Sequence, residues 1–144
     1  MKHDTIYKSE ISYGLLGALC LLLLGIPVIQ ILNSNIHWEN YVIVLLIQCC
    51  TLIFVVYLFL NTYYSIEGDV LNVKSGMVYK KTIKISEIKA ISKTNSLLSS
   101  PAASLTKRIE ISYGKFNSVI ISPKNQLHFI EALQHINPNI LIKI

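Results

Sequence analysis

Three sets of residues in this 144-residue chain have types and spacings that could carry chemistry. Ser104-Leu105-Thr106-Lys107 fits an S-x-x-K pattern, and Lys74-Ser75-Gly76 resembles the K-T-G element that accompanies it in penicillin-recognising serine enzymes. In such a site the lysine sits one helical turn from the serine, so that its amine reaches the hydroxyl. Here Ser104 leads into a strand-like segment, the two elements run in the wrong order, and the chain is far too short. The coincidence predicts no nucleophile. His128 and His135 could share a metal only if both imidazoles reached one ion, yet seven residues on a helix place them about 10.5 Å apart along its axis. Two solvated helix-face histidines are expected instead. Cys20, Cys49 and Cys50 all lie in apolar runs, where a thiol acts as a small apolar filler rather than a redox or metal group. With no paired acid and base and no metal-ligand set, neither an enzyme nor a cofactor is expected.

Binding chemistry is the alternative, and charge and apolarity point to two places. In Met77–Ile85, strand alternation puts Lys80, Thr82 and Lys84 on one side and Tyr79, Ile83 and Ile85 on the other, which gives an outward basic stripe. Lys81 breaks this pattern and either snorkels from the apolar side or marks a bulge. The uncharged segment 95–104 carries Leu97, Leu98 and Pro101 between strands of a charge-rich region. Such a loop either folds over the core or meets a partner or bilayer. Lys80, Lys84, Leu97, Leu98 and Pro101 are therefore the candidate interaction residues. Residues 61–144 hold eleven of the thirteen Lys/Arg and five of the eight Asp/Glu, a net of +6. A basic region beside a bilayer is drawn to anionic headgroups. Nucleic acid is not an expected partner, because groove-reading motifs and interleaved aromatics are missing.

The elements that position these residues divide by solvent. The chain is 52% hydrophobic with a mean hydropathy of +0.50, and most of the excess lies before residue 60. Two uncharged runs, about 11–32 and 41–60, are each long enough to cross a hydrocarbon core of about 30 Å. Residues 33–40 leave room only for a tight loop, so 1–60 reads as a transmembrane helical hairpin. Lys2 and Lys8 flank one end and the lysine-rich region follows the other. The positive-inside rule then places both termini in the cytoplasm of a multi-pass inner-membrane protein. Gly14 and Ala18 form a small-xxx-small step that lets helices approach closely, within the hairpin or in a homo-oligomer.

After residue 60 the pattern shortens to strand-like segments near 63–66, 70–74, 77–85, 89–94, 107–113 and 118–121, separated by glycine turns. Ile109, Ile111 and Tyr113 should face inward. An amphipathic helix over 123–136 follows, with Ser122 as its N-cap and Phe129, Ile130, Leu133 and Ile136 as its apolar stripe. A curled sheet with one helix laid across its open end is a PH-like barrel, which defines a domain over 61–144.

The same segments resemble the YyaB-like bacterial PH domain. The residues that carry the resemblance are Ile88-Lys89-Ala90-Ile91, Ser100-Pro101-Ala102-Ala103-Ser104, Arg108-Ile109-Glu110-Ile111-Ser112-Tyr113, Ile121-Ser122-Pro123, Phe129-Ile130-Glu131-Ala132-Leu133 and Asn137-Pro138. Tyr64-Ser65-Ile66 and Leu71-Asn72-Val73 extend it towards the helices. The resemblance implies a PH-like barrel fused to membrane helices, with no established catalysis. Eukaryotic PH domains that bind phosphoinositides place basic residues at the first hairpin turn. Here that turn is read as Glu67-Gly68-Asp69, which repels phosphate. The expected function is a membrane-anchored module that binds a protein or membrane surface. A bacteriocin-immunity protein and an accessory subunit of a membrane complex are the alternatives.

Overall fold

Short β-branched runs broken by glycine turns build two curled sheets. The computed structural model describes residues 5–33, 38–96, 104 and 107–143. In chain order the elements are β1 (Thr5–Lys8), α1 (Tyr13–Asn33), α2 (Trp38–Leu60), β2 (Thr62–Glu67), β3 (Val70–Ser75) and β4 (Tyr79–Lys84). They continue as β5 (Ile88–Lys93), β6 (Ile109–Tyr113), β7 (Asn117–Ile121), α3 (Gln126–Ile136) and β8 (Leu141–Lys143). One sheet has the order β1-β2-β3-β4, antiparallel throughout, and the other has the order β7-β6-β5-β8, with β8 parallel to β5. Inward residues of both sheets, among them Tyr64, Leu71, Val73, Ile83, Ile91, Ile109, Ile111 and Ile121, form one core with Phe129, Ile130 and Leu133 of α3. Burial of such side chains stabilises the domain by about 1.5–3 kcal/mol each before entropy is counted.

Six strands fall within a few residues of the segments read from alternation, and Ile109, Ile111 and Tyr113 are buried as that pattern requires. The expected strand 77–85 begins two residues late, because Gly76 takes a φ of 54° and the chain turns through Met77 and Val78. The helix begins at Gln126 rather than at residue 123, and Ser122 is not its cap. Ser122 is fully buried and its hydroxyl meets that of Ser9, while Asn125 occupies the cap position without a side-chain bond to the helix. Ile136 is 38% exposed, so the stripe is Phe129, Ile130 and Leu133.

The largest departure concerns the division at residue 60. β1 precedes both helices, yet it pairs with β2 from Thr5↔Ile66 to Lys8↔Tyr63. Alternation along β1 sends Tyr7 into the core and leaves Ile6 exposed. The helical pair is therefore inserted between two neighbouring strands of one sheet. The Glu67-Gly68-Asp69 turn is consequently the second interstrand connection, and the first is α1–α2 itself.

Among the described residues, Val42–Leu60 is long and apolar enough to cross a membrane, and none of that stretch is buried. The apolar stretch of α1, Tyr13–Ile29, is shorter, and Pro27 lies within the helix. A Cβ placed on Gly14, Gly17 or Gly25 would meet nothing within 4 Å. At these three glycines α1 therefore makes no close approach to α2.

Candidate functional site

The strands run between two chemically different ends. At the helix-proximal end, β1 passes into α1 and α2 passes into β2. At the opposite end, the Ile85 amide bonds the Asp69 carbonyl at 2.8 Å and the Gly114 amide bonds the Glu87 carbonyl at 3.1 Å. Glu67, Asp69 and Glu87, three of the five carboxylates after residue 60, lie at this distal end. Lys8, Lys74, Lys80, Lys107 and Lys124 lie towards the helices. Lys8 and Lys124 are joined there by a backbone bond of 3.0 Å, and Lys107 pairs with Glu10 at 2.9 Å. The basic excess is therefore gathered at the end from which the helices leave.

A hydroxyl network seals the proximal seam. Ser9 Oγ lies 2.9 Å from Ser122 Oγ, Tyr64 donates its hydroxyl proton to Ser9 Oγ at 3.0 Å, and the Ser122 amide donates to Tyr64 at 3.1 Å. Tyr7 stacks edge-on against Phe129 with ring centroids 5.1 Å apart, and its hydroxyl is 2.9 Å from His128 Nδ1. Burial pushes both phenols above their ordinary range, and at Tyr64 the bonds from Ser122 and Ser9 oppose that shift. These groups are engaged with one another inside the wall, which makes them structural rather than nucleophilic.

Beside this seam, the β3–β4 turn rests on the last turn of α2. The Gly76 amide bonds the Asn61 carbonyl at 2.9 Å, and a Cβ at Gly76 would come within 2.8 Å of Leu58 Cδ2. Thr62 ties the same region together, donating to the Leu58 carbonyl at 2.8 Å and meeting Ser75 Oγ at 2.9 Å. Met77 and Val78, at the tip, are 87% and 69% exposed. Immediately behind them Lys74 stands directly opposite Lys80 across the β3–β4 ladder. Like charges in that arrangement repel each other. Lys74 lies over the Tyr63 ring at 5.4 Å, and these two residues with Ile6, Ser65, Glu67, Asn72 and Lys80 line a concavity of about 230 Å³, so that one carboxylate shares it with the two lysines.

Of the expected interaction residues, Lys80 belongs to this cluster. Lys84 does not, because it ends β4 opposite Val70 at the distal end. Leu97, Leu98 and Pro101 lie outside the described residues, although both flanks of their segment are fixed. The buried Arg108 donates through Nη1 to the Ser96 carbonyl at 2.7 Å and through Nε to the Ser104 carbonyl. A planar guanidinium suits such a two-point clamp. Lys107 of the S-x-x-K coincidence turns to Glu10 rather than to Ser104. Lys81 causes no bulge in the continuous β3–β4 register. Its ammonium lies 5.3 Å from the Tyr113 ring centroid, and the Tyr113 hydroxyl raises its pKa more than burial lowers it. His128 bonds Tyr7, and no cluster able to hold a metal occurs among the described residues.

Sequence reasoning missed Met77, Val78, Lys74 and Arg108. A glycine followed by two apolar residues could have marked the turn, but an unbroken strand explained the same letters.

Two curled four-stranded sheets that share one core with a C-terminal helix define a PH-like scaffold, which suits an interaction module. The family model described as Bacterial PH domain matches residues 62–137, over half of the 144-residue chain, and the chain belongs to that family. The match covers β2 to α3 and omits both β1 and β8. Comparison with curated proteins and with solved structures gave no match.

Proposed function

We propose that this chain is a membrane-anchored, non-catalytic interaction module of the YyaB-like kind. In this reading α1 and α2 cross the inner membrane as a hairpin, and the PH-like domain meets a protein or lipid surface in the cytoplasm. The observation that carries it is the β1–β2 pairing. Because the two strands flanking the hairpin are hydrogen-bonded neighbours, both helices leave from one end of one domain. Two helices rich in exposed leucine, isoleucine and valine suit lipid better than water. At about 1.5 Å per residue, Val42–Leu60 reaches about 29 Å, close to the hydrocarbon thickness. The gathering of lysines at the helix-proximal end agrees with an anionic cytoplasmic leaflet.

The test is topological. A reporter active only in the cytoplasm, fused after Ile144, is expected to work. A Cys introduced at Asn35 into a chain freed of Cys20, Cys49 and Cys50 is expected to be labelled from outside intact cells. The reverse labelling pattern refutes the orientation, and recovery of the chain in the soluble fraction refutes the anchoring.

A further inference from the structure

Outside α1 and α2 the described surface exposes Ile6, Phe116, Leu127 and Leu141 as well as Met77 and Val78, and of these Met77 and Val78 are sequence neighbours in the turn that rests on the end of α2. They cap the β3–β4 turn, which packs on the last turn of α2. A Cβ at Gly76 would run into Leu58 and Tyr57, and Leu60, the last helical residue, is itself 64% exposed. The helix end and the turn are joined through exposed Asn61, whose carbonyl accepts from the Gly76 amide, so the apolar side chains of Leu60, Met77 and Val78 lie on either side of one polar residue. Behind the tip, Lys74 and Lys80 face each other across the ladder; Glu67 lines the same concavity from the far end of β2 but forms no ion pair with either among the described residues. Such a pair is mildly unfavourable, and an anion placed beside it would relieve the repulsion.

We propose that the Gly76–Val78 turn is seated in the same leaflet through which α2 leaves, with Met77 and Val78 entering the acyl boundary and Lys74 and Lys80 holding anionic headgroups above them. The proposal rests on the membrane-anchoring reading and names the surface by which the domain lies on the bilayer. Apolar side chains at the tip with cations at the neck match the layered chemistry of an interface, where the headgroup region lies about 5–10 Å above the buried apolar atoms. The arrangement also separates the two lysines of the β4 stripe. Lys80 and Lys84 are four residues apart, about 13 Å along the strand. That distance exceeds the Debye length of about 8 Å at physiological salt, so Lys84 contributes little to headgroup attraction.

The test uses the full-length chain with Cys20, Cys49 and Cys50 replaced by alanine, reconstituted in vesicles of phosphatidylglycerol and phosphatidylcholine. An environment-sensitive fluorophore is attached singly at Met77→Cys, Val78→Cys, Phe116→Cys or Ile47→Cys, and quenching by lipids brominated along the acyl chain is recorded. Ile47 lies within α2, and Phe116 is 99% exposed in the distal β6–β7 turn. Probes at 77 and 78 are expected to be quenched several-fold more than the probe at 116, at a shallower depth than the probe at 47. Adding Lys74→Glu and Lys80→Glu should reduce quenching at 77 in anionic vesicles but not in pure phosphatidylcholine, whereas Lys84→Glu should change neither. If 47 is quenched while 77 and 78 behave like 116, the turn stays in water or awaits a protein, and this proposal alone falls. If 47 is unquenched, the anchoring reading fails and carries the proposal with it.

Discussion

Cutting the chain at residue 61 should remove a structural strand, whereas excising only the helices should not. Two soluble proteins make the comparison. One is the fragment 61–144. The other keeps residues 1–9 and joins Ser9 to Thr62 through Asn-Gly. The Ser9 amide bonds the Thr62 carbonyl at 3.1 Å and Lys8 pairs with Tyr63, so a two-residue loop closes this antiparallel pair without changing its register. In the linked protein, Tyr7→Ala removes a ring that is 7% exposed and stacked on Phe129, at a cost of about 3–5 kcal/mol. Small domains hold only about 5–15 kcal/mol in total. The fragment also loses the Ser9 hydroxyl that accepts from the buried Tyr64, which costs about 1–3 kcal/mol more. Thermal melts followed by near-UV circular dichroism should show a cooperative transition for the linked protein. For Tyr7→Ala the midpoint should be lower by at least roughly 12 °C, and the fragment should show no sharp transition. Equal melting of fragment and linked protein would refute the assignment of β1 to the domain.

Leu133→Asp places a carboxylate at a position of 0% exposure and should cost about 4 kcal/mol or more, abolishing the cooperative melt of the linked protein; an unchanged melt would displace α3 from the core. Arg108→Met releases the Ser96 and Ser104 carbonyls, and should cost about 1–3 kcal/mol and speed proteolysis within 97–103. Arg108→Lys should not restore resistance, because a single ammonium cannot replace the fork. The raised phenols of Tyr7 and Tyr64 favour the protonated form in the folded state. Their stabilising effect is thus complete below the ordinary phenol value of 10.0 and lost as pH rises through the higher folded values. Urea midpoints should fall above about pH 10, and Tyr64→Phe should weaken that fall; midpoints constant through that range would contradict it.

Much of the fold could be read from the letters because its determinants are local. Alternation in Arg108–Tyr113 and helical spacing of Phe129, Ile130 and Leu133 each fix a buried face without reference to distant residues. β1 escaped because Thr5–Ser9 is short and adjoins an apolar run, where its alternation reads as the flank of a helix. Its partner in the sheet is more than fifty residues away. Ser122 was misread for a related reason. Ser-Pro ahead of a helical stripe is a good local start signal, but Ser9 engages that hydroxyl, and Tyr64 the Ser122 amide, from across the seam. Lys80 and Lys84 looked equivalent because strand periodicity reports which face a residue occupies and not which end. β8 was missed because three residues with all side chains exposed leave no apolar pattern to read.

The insertion of α1 and α2 between neighbouring strands also sets an order of assembly. β1 leaves the ribosome ahead of both helices and cannot pair until β2 follows. For a flexible connection of about 50 residues, bringing the two strands together would cost roughly 3–4 kcal/mol of chain entropy. On the membrane-anchored reading, a helical hairpin already formed in the bilayer would hold both ends close and remove most of that cost. If one helix failed to insert, β1 and β2 would be left on opposite sides of the membrane, and Tyr7 could never reach Phe129. Closure of the barrel would then act as a checkpoint, so that only chains with a correctly threaded hairpin present a finished domain.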